Sequence, residues 1–215
     1  MVYVFDPQLD DWIIKNPAAD DPMPGTTLGL LTVRAFRGRS ISDTLWSDLR
    51  ALQSIEQLLS QFRSVGVRYA FRRVWEGGHD GQSAHYTGLA FDVGHGLDTK
   101  TQMRIARLAL SRSGFDRVEP PFSTPGWLHA EKSIAPAAGL RGGYPRLKQG
   151  MRGVHVFVLQ DALLLSGQSE GGLTGCFSAA TASDVRRFQA ARRLHVTGEA
   201  DSDTWRALMQ QPSVH

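Results

Sequence analysis

Two histidines and one aspartate carry the strongest chemical signal in this chain. His85 and Asp92 sit in Ser83-Ala-His-Tyr-Thr-Gly-Leu-Ala-Phe-Asp92, and His129 sits in Trp127-Leu-His-Ala-Glu131. Two neutral imidazoles and a carboxylate fill three corners of a zinc tetrahedron and leave the fourth for water, as in catalytic rather than structural zinc sites. A closed site built on thiolates is excluded, because the chain has 1 cysteine, Cys176. The plain alternative is that all three are ordinary core or surface residues, since a His and an Asp often fall close together by chance. His79, His95, His155, His195 and His215 lack a comparable context and read as structural or surface residues.

The elements that must position these groups follow from spacing. On a helix, residues seven apart lie roughly 10 Å apart along the axis, too far for two ligands that must each approach one ion to about 2 Å. Gly88 interrupts the segment, and Leu89-Ala-Phe-Asp-Val93 reads as a short buried strand ended by Gly94. His85 is therefore expected in a loop or strand end that Gly88 bends back, with Asp92 on the strand. Trp127–Glu131 also reads as a strand, on which Trp127, His129 and Glu131 share a face.

The remaining segments predict an α+β fold, a small antiparallel sheet with helices over residues 1–134. Residues 1–30 read as an irregular arm. Ser40 to Val65 reads as one helix capped by Ser40, with Leu45, Leu49, Leu52, Ile55, Leu58, Leu59 and Phe62 at helical steps. A strand from Val67 to Phe71, a helix from about Thr99 to Ser113 and a strand near Val118 complete the unit. Residues 135–145, rich in Gly, Pro and Ala, read as a linker. Residues 146–210 then predict an all-α domain of three helices.

Composition sets outer bounds. The 215 residues are 41% hydrophobic and 21% charged, ordinary for a soluble globular protein, and suffice for one sizeable or two small domains. No apolar run reaches the length of a membrane span, and the N-terminus shows no secretory signal pattern. A net charge of +3 mildly favours an anionic wall and is too small to indicate nucleic acid. Arg186-Arg187 and Arg192-Arg193 read as a solvated helix face without a stacking platform, so no nucleic-acid partner is expected. A monomer is expected.

The string Ser-x-His-x-x-Gly-x-Ala-x-Asp followed by Trp-x-His resembles the zinc D-alanyl-D-alanine carboxypeptidase family, with its endolysin and L-alanyl-D-glutamate endopeptidase relatives. The resemblance covers about residues 28 to 133. It implies that His85, Asp92 and His129 bind Zn2+. It also implies that Arg72, or failing it Arg73, clamps a substrate carboxylate, and that Ser83 helps hold the substrate terminus. Many members carry an acid three positions before the last histidine, where this chain has Gly126, and others a histidine where it has Trp127. The general base is therefore sought nearby: Glu131 first, Glu119 as the alternative. The plainer reading makes Glu131 an orienting partner of a ligand and Glu119 a loop residue.

After residue 146, Leu159-Gln160, then Thr181-x-x-x-Val185-x-x-Phe188-Gln189, then Gly198 and Thr204-Trp205 resemble the three-helix peptidoglycan-binding domain of many cell-wall hydrolases. Thr174 and Ser178 stand where an acidic residue and a glycine are usual, which predicts a looser turn. Both resemblances imply peptidoglycan as the partner and action at the bacterial cell wall, after secretion or release. The expected activity is hydrolysis of stem-peptide bonds involving D-amino acids, of D,D-carboxypeptidase type. The alternatives are an L-Ala-D-Glu endopeptidase and a non-catalytic, zinc-containing wall-binding protein.

Overall fold

The computed structural model describes residues 1–79, 81–134, 143–169 and 171–210. In chain order the elements are β1 (Val2–Asp6), β2 (Asp11–Lys15), α1 (Val33–Arg37), β3 (Leu45–Asp48), α2 (Leu49–Gln61) and β4 (Val67–Tyr69). A 3-10 turn (Val74–Glu76), α3 (Ala84–Thr87), β5 (Ala90–Val93), α4 (Thr99–Ser111), β6 (Arg117–Val118) and β7 (Leu128–Glu131) follow. Helices α5 (Val154–Leu165), α6 (Ala179–Ala191) and α7 (Ser202–Met209) end the chain. The described residues divide into two compact units. One holds residues 1–72 and 88–134; the other holds 73–87 and the described residues from 143 onward.

The first unit carries two sheets. One has the order β2-β1-β3, with β1 antiparallel to β2 and parallel to β3; the other, β4-β5-β7-β6, is antiparallel throughout. Residues 1–30 are thus not an irregular arm over their whole length. Val2 and Val4 point inward from β1, alternating as one half-buried face demands. The single helix expected from Ser40 is also corrected. Ser40 caps a polar turn, its Oγ accepting from Ser42 N at 3.2 Å. Residues 45–48 are a fully buried strand, and α2 starts after Asp48, whose carboxylate accepts from Arg50 N at 3.0 Å. Leu45 fits the helical spacing of α2 by coincidence, because a strand buried on both faces gives no polar–apolar alternation to set against the helical period. The core gathers Phe36, Trp46, Phe71, Phe91 and Ile105, all at 0% exposure.

Gly88 joins α3 to β5. Its φ is +67°, and a Cβ there would lie 2.1 Å from the carbonyl oxygen of Trp46, so only glycine fits. Ser47 Oγ locks the turn by donating to Gly88 O at 2.8 Å.

In the second unit, α5, α6 and α7 pack around Phe157, Val185, Phe188, Trp205 and Leu208, each fully buried. The same device appears twice. Gln160, in the middle of α5, accepts from Thr174 N and Gly175 N, and its amide nitrogen faces Thr174 Oγ1, Cys176 O and Thr181 Oγ1 as donor. Gln189 does the same with Thr197 N, Gly198 N, Thr197 Oγ1, Glu199 O and Thr204 Oγ1. Each clamped turn delivers an N-cap, Ser178 to α6 and Asp201 to α7. The looser turn expected from Thr174 and Ser178 is therefore corrected: both residues are hydrogen-bonded into it.

Most of the expected linker, residues 135–142, lies outside the described residues. Tyr144 is already core, 8% exposed and edge-on to Trp205 at 4.9 Å. Residues 73–87 join this unit as well. Arg73 makes a buried ion pair with Asp161 at 2.5 Å, Val74 N donates to the other carboxylate oxygen at 2.8 Å, and Tyr144 Oη donates to Ser83 O at 2.6 Å.

Candidate metal centre

Strand register does most of the positioning. In β5, Phe91 and Val93 point into the core, which turns Asp92 to the opposite face. In β7, Leu128 and Ala130 are fully buried and His129 faces out with Glu131, as the alternation predicted. Asp92 pairs directly with His129 across β5 and β7. The β6–β7 register, Arg117 opposite Glu131 and Val118 opposite Ala130, continues to Glu119 opposite His129, where Glu119 N donates to His129 O at 3.0 Å. Directly opposed residues of antiparallel strands share a face. Asp92, His129 and Glu119 thus form one row, and Glu131 and Arg117 the next.

Within these rows the side chains connect. His129 Nδ1 is 2.9 Å from Asp92 Oδ1, and His129 Nε2 is 2.9 Å from Glu131 Oε1. Arg117 donates to both oxygens of Glu131, at 3.2 and 3.1 Å, and lies 3.5 Å from Glu119 Oε1. Burial alone would lower the His129 pKa, but hydrogen bonds to Asp92 and then Glu131 outweigh it and raise the pKa to about 9. For Glu131, burial pushes upward, and the His129 ring and Arg117 more than offset it, leaving the carboxyl below its ordinary value.

His85 lies in α3, a single helical turn before Gly88, rather than in a loop or strand end. It is 2% exposed, and its backbone N–H donates to Ser83 Oγ at 3.3 Å. Of the three candidate ligands, Asp92 and His129 are brought together within the first unit, across β5 and β7. Of the other expected residues, Arg72 follows β4, the strand whose Tyr69 pairs with Asp92, and is half-buried. Arg73 is committed to Asp161.

Two neighbours escaped the sequence reading. Arg117 ties Glu119 and Glu131 together; its only trace in sequence is the alternation Arg-Val-Glu on a short strand. His79, read as a structural or surface residue, stacks its ring on that of His85 with centroids 4.5 Å apart and planes 25° from parallel. Nothing in its flanking residues Gly78 and Asp80 signals that contact.

Residues 152–208 match the family described as "Putative peptidoglycan binding domain". The match covers α5, α6 and α7, supports a C-terminal peptidoglycan-binding domain and is consistent with association with the cell wall. No curated protein and no solved structure matches the chain. Among the described residues, no helix is long and apolar enough to cross a membrane.

Proposed function

We propose that this protein is a zinc-dependent peptidoglycan peptidase of D,D-carboxypeptidase type, held on its polymer by the C-terminal domain. The observation that carries the reading is the pairing of Asp92 with His129 across β5 and β7, side chains 2.9 Å apart, with Glu119 just past β6 hydrogen-bonded to the His129 backbone. Two imidazoles and one carboxylate are a donor set suited to zinc with an open position. The ring nitrogen of His129 beyond Asp92 meets a carboxylate, Glu131, the usual outer partner that fixes the tautomer of a metal-bound histidine. When bound, zinc supplies Lewis acidity at the scissile carbonyl and lowers the pKa of a coordinated water to about 7.

The residues then divide the work. His85, Asp92 and His129 hold the metal. Glu131 is occupied by His129 and Arg117, which suits a positioning residue rather than a base. Glu119 stands beside His129 in the row and takes the proton of the attacking water, passing it to the leaving amine as the C–N bond breaks. Arg72 offers a planar fork for a substrate carboxylate, which an ammonium would match less well, and Ser83 assists at the substrate terminus. Tethering to an insoluble polymer raises the local concentration of stem peptide without new catalytic contacts.

The test is zinc content per chain together with mass spectrometry of products from purified peptidoglycan. Release of D-alanine supports the carboxypeptidase, and internal stem fragments would shift the reading to an endopeptidase. Glu119→Gln is expected to lower turnover by about 100-fold with metal retained. Glu131→Gln is expected to weaken metal binding by about 10–100-fold. A protein that takes up no zinc on reconstitution and releases nothing from several wall types sinks the proposal.

A further inference from the structure

The C-terminal unit has an open surface cavity of about 380 Å³ lined by Arg146, Lys148 and Met151, just before the matched residues 152–208, and by Glu199 within them. Its walls are set by backbone. Leu147 and Ala200 form an isolated antiparallel bridge, with N–H···O distances of 3.0 and 2.9 Å in the two directions. Both residues point inward, at 2% and 0% exposure. Extended neighbours alternate, so Arg146 and Lys148 stand together on the outer side with Glu199 beside them. The turn from Lys148 to Met151 is fastened to Phe177, whose carbonyl accepts from Gly150 N at 2.9 Å and whose N–H donates to Met151 O at 2.8 Å. The Met151 sulfur folds back to 3.4 Å from Lys148 N and supplies an apolar wall.

The charges in this cavity are unequal. Arg146 is neutralised by Glu199, with Nε and a terminal nitrogen 2.6 and 2.5 Å from the same carboxylate oxygen. Among the described residues Lys148 has no acidic partner, and it is exposed. The cavity therefore presents one uncompensated ammonium, a guanidinium–carboxylate pair and a thioether. A neutral sugar would call for an aromatic platform, and none lines this cavity. A short peptide with a free carboxylate and small apolar side chains matches it in charge and surface.

We propose that this cavity is the ligand site of the wall-binding domain, and that it takes the carboxylate-bearing stem peptide rather than the glycan, with Lys148 pairing the carboxylate. The inference rests on the peptidoglycan-binding assignment and is independent of the zinc reading. The full chain is tested by co-sedimentation with purified peptidoglycan and by calorimetry with three soluble probes: the peptide L-Ala-γ-D-Glu-L-Lys-D-Ala, the same peptide with its carboxylates amidated, and a chitotetraose. The acidic peptide should bind, with the amidated form and the sugar weaker by about tenfold or more, the worth of one charge-assisted hydrogen bond. With the metal centre disabled by chelator and Arg72→Ala in every sample, Lys148→Glu should lose binding to both wall and peptide, and Lys148→Arg should keep it. Each variant should melt as wild type does, because the side chain is exposed. If wild type sediments with the wall and Lys148→Glu does so equally, the cavity assignment is overturned while the domain assignment stands. Preference for the sugar overturns the stem-peptide assignment. If wild type fails to sediment with any wall, both fall together.

Discussion

Replacing Gln189 by leucine removes five hydrogen bonds from a side chain that is 0% exposed. The leucine nearly preserves volume, so the loss is polar rather than a cavity. Two backbone N–H groups, of Thr197 and Gly198, lose their acceptor at 2.9 Å each, and the Glu199 carbonyl loses its donor. A buried donor left unsatisfied costs about 1–3 kcal/mol. With partial relief from water at the more open Thr197 end, the sum is about 3–5 kcal/mol. A domain of this size has only about 5 kcal/mol to lose, so the C-terminal unit should sit at the edge of unfolding at 37 °C. The assay is hydrogen exchange read on peptides from residues 179–210, which isolates this unit where a whole-chain melt would mix two transitions. Peptides from residues 45–61 serve as the internal control and should not change. Gln160→Leu, at the equivalent turn before α6, should behave alike. Protection within about 1 kcal/mol of wild type in Gln189→Leu would refute the idea that these clamps hold the domain together.

Three further outcomes follow from buried polar groups. Asp161→Asn should cost about 3 kcal/mol, because it strands the Arg73 guanidinium, which is 10% exposed at the side chain; the double change Arg73→Met, Asp161→Leu should recover most of that in a denaturant titration. Glu56→Ala should cost about 2–4 kcal/mol and raise proteolysis between residues 25 and 31, since its 3%-exposed carboxylate accepts from the N–H groups of Thr27, Leu28 and Leu30 at 2.9–3.0 Å. His155 is held neutral by burial, its pKa lowered to about 4. A lowered histidine pKa leaves the folded state fully favoured above the unfolded value near 6.5, and stability falls as pH drops from there toward 4. Residual solvent access trims the loss to about 2 kcal/mol. Unfolding at pH 7, 5.5 and 4 should show the fall, and His155→Gln should flatten it.

Legibility differed by element for physical reasons. α4, Asp92 on β5, and His129 on β7 were readable because periodicity and flanking glycines report local backbone preference directly. β3 was not, since its one leucine, Leu45, coincides with the phase of the helix that follows. The hairpin of β1 and β2 left a signal in the alternation Val2-Tyr-Val-Phe that its short length and polar neighbours obscured. His85 was singled out by motif as a candidate, but its helical turn was hidden because four residues carry too little pattern to distinguish a turn of helix from a loop.

By itself the sequence determined which residue types stand as candidate ligands, the strand faces of Asp92 and His129, and the helical C-terminal domain with its paired glutamines, because each depends on spacing within one segment. Only the tertiary structure decided the neighbours. The β6–β7 register puts Glu119 rather than Gly126 beside His129, and it gives Glu131 to His129 and Arg117. Folding also joins Arg73 to Asp161 across 88 positions, a pairing that no spacing within one segment reports. Register and long-range pairing are set by which faces must be buried together, and no local stretch of sequence contains that information.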